Sequence, residues 1–218
     1  MKFKYAGFFI LCAAALVLNG KIYAQENFEG KVTFNIFDNE NAEAHSMDYF
    51  MKDGKIRFDA KEKEGMGAFI MDPASKQIMI IMPEQKMYLQ MQIPETKLDS
   101  KAAHEMDKGE FSKTGDTKEI LGYKAEKWVF KNDTDQGEAW MTRDLGAFVW
   151  FNNPMMREDS KPQWMKDLNE GGYFPLMVTE NGKKVFEVTN IQKSSVDASL
   201  FEIPAGYKKM EMPSTMQK

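Results

Sequence analysis

The chain has 218 residues, with 29 Lys and Arg against 33 Asp and Glu, a formal net charge of −4, one cysteine and 18 methionines. A hydrophobic fraction of 43% is enough for a packed core and excludes wholesale disorder, while a lone cysteine excludes a disulfide framework and a thiolate zinc site. The acidic balance argues against a nucleic-acid partner, the more so because only Arg57, Arg143 and Arg157 among the basic residues are arginines.

Residues 1–24 read as a secretory signal peptide. Lys2 and Lys4 precede an apolar stretch over residues 6–18, and Ile22-Tyr23-Ala24 places a small residue before Gln25. Thirteen helical residues rise only about 20 Å, short of the ~30 Å of hydrocarbon in a bilayer. Removing the segment takes Lys2, Lys4 and Lys21 away and leaves 26 positive against 33 negative charges, net −7. Cys12 leaves as well, so the mature chain has no thiol. No later stretch approaches 18 consecutive apolar residues, so no transmembrane span is expected, and the protein reads as soluble and exported, to the periplasm or beyond.

Beyond residue 24 the pattern is mostly β. Val32, Phe34 and Ile36 alternate with Lys31, Thr33 and Asn35, as in a half-buried strand. Residues 46–91 read as a meander of five short antiparallel strands. Its first turn is Asp53-Gly54, the chemistry of a type I′ hairpin, and further turns fall at residues 72–75 and 83–84. Residues 94–113 are polar and break the pattern, with a helix expected near residues 100–108. A strand is expected over residues 119–131 and another over 137–142. Helices are expected over 144–150, capped by Asp144, and over 161–170, where Pro162 suits the opening turn and Gly171-Gly172 the stop. Asn181-Gly182 joins two further strands, and residues 201–204 form a last edge piece. The expectation is an α+β fold: a curved antiparallel sheet with two or three short helices, one domain over residues 25–207, and a loose tail over 208–218.

Several strands are apolar on both faces, notably residues 69–71, 77–82 and 127–130. Antiparallel sheets usually keep one face wet. Either inserted elements cover the second face, or a curved sheet encloses an apolar cavity. Methionine is frequent on these strands, and its flexible thioether suits an adaptable apolar lining or irregular core filling. Thioethers also bind Cu(I); that reading wants Met-x-x-Met or Met-x-Met with a histidine nearby, and Met79-x-x-Met82 and Met210-x-Met212 occur with no histidine close in sequence. Catalytic constellations are absent from the sequence. The two histidines, His45 and His104, lack ligand spacing, and no serine elbow or phosphate loop occurs. No enzyme activity, cofactor or metal is therefore expected.

Phe28-Glu29-Gly30-Lys31-Val32, Lys55-Ile56-Arg57-Phe58, residues 115–125, Glu138-Ala139-Trp140, Phe174-Pro175-Leu176 and residues 201–208 resemble a family of exported bacterial proteins known as domain of unknown function 4412. That family is distantly similar to the periplasmic lipoprotein carriers LolA and LolB. The resemblance implies an incomplete antiparallel barrel with helices over an apolar concavity. Where family members carry a Cys after Gly-Tyr-Lys, this chain has Ala125. The expected function is binding of a lipid, acyl chain or lipoprotein in the concavity. The candidate lining is Arg57, Trp128, Phe130, Trp140, Phe148, Trp150, Met79 and Met82. A structural or protein-interaction module with a packed interior and a methionine-based Cu(I) binder are the alternatives.

Overall fold

The computed structural model describes residues 28–37, 43–60, 67–92, 109–132, 135–149, 151 and 161–211. The signal segment, the helix expected near residue 100, and Trp150 lie outside the described residues. The strands are β1 (Gly30–Phe37), β2 (Ala44–Lys52), β3 (Lys55–Ala60), β4 (Ala68–Asp72), β5 (Gln77–Met82), β6 (Met87–Gln92), β7 (Glu110–Ile120), β8 (Tyr123–Lys131), β9 (Gln136–Thr142), β10 (Phe174–Glu180), β11 (Lys183–Lys193) and β12 (Lys208–Lys209). One α-helix, α1 (Gln163–Glu170), and one 3₁₀ turn (Ala198–Phe201) accompany them among the described residues.

All twelve strands join one sheet in the order β12-β6-β5-β4-β3-β2-β1-β11-β10-β9-β8-β7. Two meanders, β1 to β6 and β7 to β11, therefore meet at the β1–β11 pair. Every pairing is antiparallel except that of β12 with β6. Among the described residues the sheet does not close: β7 and β12 are its edges.

The hairpin turns carry the chemistry that the right-handed strand twist demands. Asp53 and Gly54 have φ of 51° and 76°, and Asn181 and Gly182 have 49° and 77°. Positive φ at both central residues is the type I′ geometry, which matches the twist of the flanking strands. Leu121 and Gly122, at 52° and 81°, make the same turn between β7 and β8.

Alternation along β2 to β5 sorts the side chains onto two faces. Val32, Tyr49, Phe58, Phe69 and Ile80 form one cross-strand row. Together with Phe34, Met51, Met71 and Ile78 they build the inner core. The opposite row, through Phe50, Arg57, Ile70 and Met79, is buried by the segment after β11, through Val196, Leu200, Phe201, Ile203 and Tyr207. This segment then adds β12 to the β6 edge. Main-chain bonds from Lys208 to Lys86 at 2.9 Å and from Met210 to Tyr88 at 2.8 Å fix it there.

Three sequence expectations are corrected. The fold is mostly β, and α1 is the one α-helix among the described residues. Residues 144–149 are turn and irregular chain, because Gly146 adopts φ 76° and the Phe148 N–H bonds the Tyr173 carbonyl at 2.9 Å rather than a carbonyl one helical turn back. The strand expected over 119–131 is a hairpin of β7 and β8, and β7 starts at Glu110, inside the stretch read as a break. Residues 201–204 leave a 3₁₀ turn rather than forming a strand, and the pairing edge piece is Lys208–Lys209.

Candidate ligand-binding site

The strand pair β7–β8 sets one wall. Glu126, Trp128 and Phe130 alternate onto one face of β8, opposite Met141, Ala139 and Gly137 of β9. Phe111 of β7 lies across from Phe130 and stacks on Trp128, with ring centroids 5.3 Å apart. Gly137 is required by close approach: a β-carbon there would lie 2.5 Å from the Phe130 ring and 2.1 Å from the Thr179 carbonyl oxygen.

Helix α1 sets the roof. Pro162 precedes its first turn, and Met165 and Leu168 are buried beneath it. It ends in a Schellman arrangement. Tyr173 N–H bonds the Leu168 carbonyl at 3.0 Å, Gly172 N–H bonds that of Asn169 at 3.0 Å, and Gly172 takes φ 67°. The turn aims Tyr173 back at the sheet, edge-on to Trp128 at 5.1 Å. Trp164 of the first turn reaches the Phe111 ring at 5.3 Å. Residues 143–149 and 151, hereafter the strap, close the remaining side with Phe148 and Phe151.

A cavity of about 380 Å³ results, walled by Phe111, Phe130, Ala139, Met141, Phe148, Phe151, Trp164, Pro175, Val178 and Phe186. The exposed Glu110, Lys131 and Asn132 also line it and mark its mouth. This is an apolar slot with a polar rim, in the size range of small-ligand sites.

Beside it lies a charged cluster. Tyr173 Oη donates to Glu126 Oε2 at 2.8 Å and accepts from Arg143 Nη2 at 2.5 Å, and Lys113 Nζ meets Glu126 Oε2 at 2.9 Å. Burial pushes the Glu126 carboxyl up, but the hydrogen bonds from Lys113 and Tyr173 and the nearby positive charges outweigh it, and the group is held below its ordinary value. The cluster ties β7, β8, the strap and α1 together. Trp128 Nε1 is buried there without a hydrogen-bond partner among the described residues.

Residues 28–207 match a family described as a domain of unknown function, DUF4412. The chain belongs to this family. No curated protein matches the sequence. Among solved structures, PNGF-II in its C2 crystal form is similar at a TM-score of 0.47 and 16% identity, over 85% of this chain and 31% of that one. The chain therefore spans under a third of PNGF-II. An uncharacterized conserved protein from Thermus thermophilus is similar at 0.48 and 10% identity, over 85% of this chain and 91% of that one. At TM-scores below 0.5, these likenesses assign no function to the DUF4412 domain.

The expected lining divides. Phe130 and Phe148 wall the cavity, and Trp128 backs it through Phe111. Trp140 alternates with Ala139 and Met141 and so stands on the opposite face. There its indole donates to Glu138 at 3.4 Å and carries the Lys118 ammonium 3.9 Å from the ring centroid. Arg57 points away from the inner face. Its Nη1 donates to the Leu200 carbonyl at 2.6 Å and its Nε to Asp59 at 2.8 Å, which anchors the C-terminal segment. Met79 lies under the same segment. Met82 falls on the other face of β5 from Met79, because residues three apart on a strand alternate, so the two thioethers do not converge on one ion. Phe111, Phe151, Trp164 and Phe186 were missed from the sequence. The first lies in the stretch read as a break, and the others enter only through tertiary contacts. Among the described residues, no group of three His, Cys, Asp or Glu side chains is placed to hold a metal, and no helix is long and apolar enough to cross a membrane.

Proposed function

We propose that this protein is exported and non-enzymatic, and binds a lipid or acyl chain, free or carried by a lipoprotein, in the cavity between β7–β11, α1 and the strap. The observation that carries the reading is the apolar slot of about 380 Å³ with charged and amide groups only at its mouth. An amphipathic ligand fits that division, its hydrocarbon inside and its head among Glu110, Lys131 and Asn132. The reading includes a sheet curled into an incomplete barrel of the LolA/LolB kind. Tyr49 on β2 and Phe174 on β10 are three strand spacings apart, about 14 Å in a flat sheet. Their ring centroids are 5.6 Å apart, which supports an inward curl.

Titration with a fluorescent fatty acid tests the reading, together with native mass spectrometry of gently extracted protein. Saturable binding is expected, and Val178→Trp, which adds an indole inside the slot, should abolish it without lowering the melting temperature by more than a few degrees. A wild-type protein that carries no lipid and binds no fatty acid would sink the proposal. It would favour the second reading, a module with a packed interior. The rings of Phe34, Tyr49, Phe174 and Phe186 gathered within 6.3 Å of Phe148 are the observation on that side.

A further inference from the structure

A polar groove of about 660 Å³ crosses β7 to β10. Two cross-strand rows floor it. Ser112, Val129, Glu138 and Thr179 form one, and Glu110, Lys131 and Gln136 form the other. Alternation sends both rows to the face of the sheet away from Phe130, Ala139 and Met141, which wall the acyl slot. All seven side chains are exposed or half-buried, so a molecule in the groove reaches them directly.

The groove and the slot meet at the strand ends, where Glu110, Phe130 and Lys131 line both. A chain held in the slot therefore has its polar end at the rim of the groove. The groove is the roomier of the two, 660 Å³ against 380 Å³, which is far more space than a carboxylate head fills.

The floor of the groove selects the head. The Ser112 and Thr179 hydroxyls and the Gln136 amide each donate and accept hydrogen bonds. Glu138 only accepts: Lys127 Nζ pairs with it at 2.6 Å, and that hydrogen bond holds its carboxyl below the ordinary value, so it stays ionised at neutral pH. Glu110 and Lys131 stand directly opposite each other on β7 and β8, where their charges offset. A phosphate or sulfate would meet one lysine against two carboxylates in this lining. Sugar hydroxyls, each a donor and an acceptor, match the floor without carrying charge.

We propose that the ligand is a neutral glycolipid, with its hydrocarbon in the slot and its sugar head turned over the rim at Lys131 into the groove. This rests on the acyl-slot reading and narrows it to one class of amphiphile.

Dodecyl β-maltoside, kept below its micelle concentration, and laurate share a chain of similar length and differ in the head. Each is titrated against a bound fluorescent fatty acid on the full-length protein. The maltoside should bind about tenfold more tightly, as a few added hydrogen bonds allow. Ser112→Ala and Gln136→Ala, both at exposed positions, should each weaken the maltoside about fivefold and leave laurate unchanged. In NMR spectra of the wild type, the Gln136 side-chain amide should shift with the maltoside and stay still with laurate. Val178→Trp should abolish binding of both. A maltoside that binds no better than laurate, or groove variants that weaken the two equally, would overturn the glycolipid and leave the acyl slot standing. If neither amphiphile nor the fluorescent fatty acid binds, the slot reading itself fails and this proposal with it.

Discussion

The β2–β6 half and the β7–β9 wing use the same strand chemistry to opposite ends. In β4 and β5 both faces are buried: the inner row packs on Tyr49 and Phe58, and the outer row lies under residues 196–207. In the wing, β7 is exposed along most of its length, and β8 and β9 are roofed on one face by α1 and the strap. Apolarity on both faces therefore marks two different situations: at residues 69–71 and 77–82 the C-terminal segment covers the second face, whereas in residues 127–130 Phe130 walls the cavity. Among the described residues the roof over the slot is a short helix and a strap rather than a second layer, and these leave the space between them and the sheet unfilled.

Substitutions can break this comparison at both ends. Phe34, 1% exposed and in contact with the Tyr49, Phe148 and Phe186 rings, belongs to the filled half. Phe34→Ala should cost about 4 kcal/mol in chemical denaturation. Phe130→Ala, at the half-exposed wall of the slot, should cost about 1–2 kcal/mol and chiefly impair fatty-acid binding. Equal losses at the two positions would mean the wing is as tightly filled as the other half.

Arg57→Met sharpens the account of the covered face. The charged hydrogen bond to the Leu200 carbonyl is worth about 1.5–2 kcal/mol. Its loss should raise hydrogen exchange over residues 196–207, with fatty-acid binding unchanged. Weaker fatty-acid binding in this variant would put Arg57 back at the ligand.

Acid should act more weakly and at the margins of both halves. Lys52 and the Val196 N–H hold Glu29 below 4.5; burial opposes, but Lys113 and Tyr173 prevail, at Glu126. Groups lowered in the folded state contribute stability above the unfolded value and lose it as pH falls through the folded one. Below 4.5, exchange protection should fade first around Val196 and along β7–β8, and last at the β1–β2 amides. The smallest effect concerns the wing's own turn. Leu121 is 48% exposed at φ 52°, a conformation that asparagine tolerates better. Leu121→Asn should raise stability by about 0.5 kcal/mol in thermal melts.

Much of the fold is legible in the chain because strand signals are local. Asp53-Gly54 and Asn181-Gly182 announce their hairpins, and the alternation through β1 announces a half-buried strand. The Leu121-Gly122 turn was not legible, since it takes type I′ geometry with a leucine where aspartate or asparagine is usual. β7 was missed because its side chains are polar, and exposed strands lack the pattern that burial imposes. At the site, Phe130 and Phe148 were identifiable as large apolar residues in context, but nothing local distinguishes them from Trp140, which alternation sends to the other face.

By itself, then, the sequence determined a mostly antiparallel chain of short strands and a family membership, because hairpin geometry and side-chain alternation are set within a few residues. Tertiary structure alone decided that residues 196–207 cover the outer face, that Arg57 binds that cover, and that the strap walls an apolar cavity. Those outcomes depend on contacts between residues far apart in the chain, such as Arg57 with Leu200 and Glu126 with Tyr173. No local pattern encodes which distant surface will arrive to fill a space.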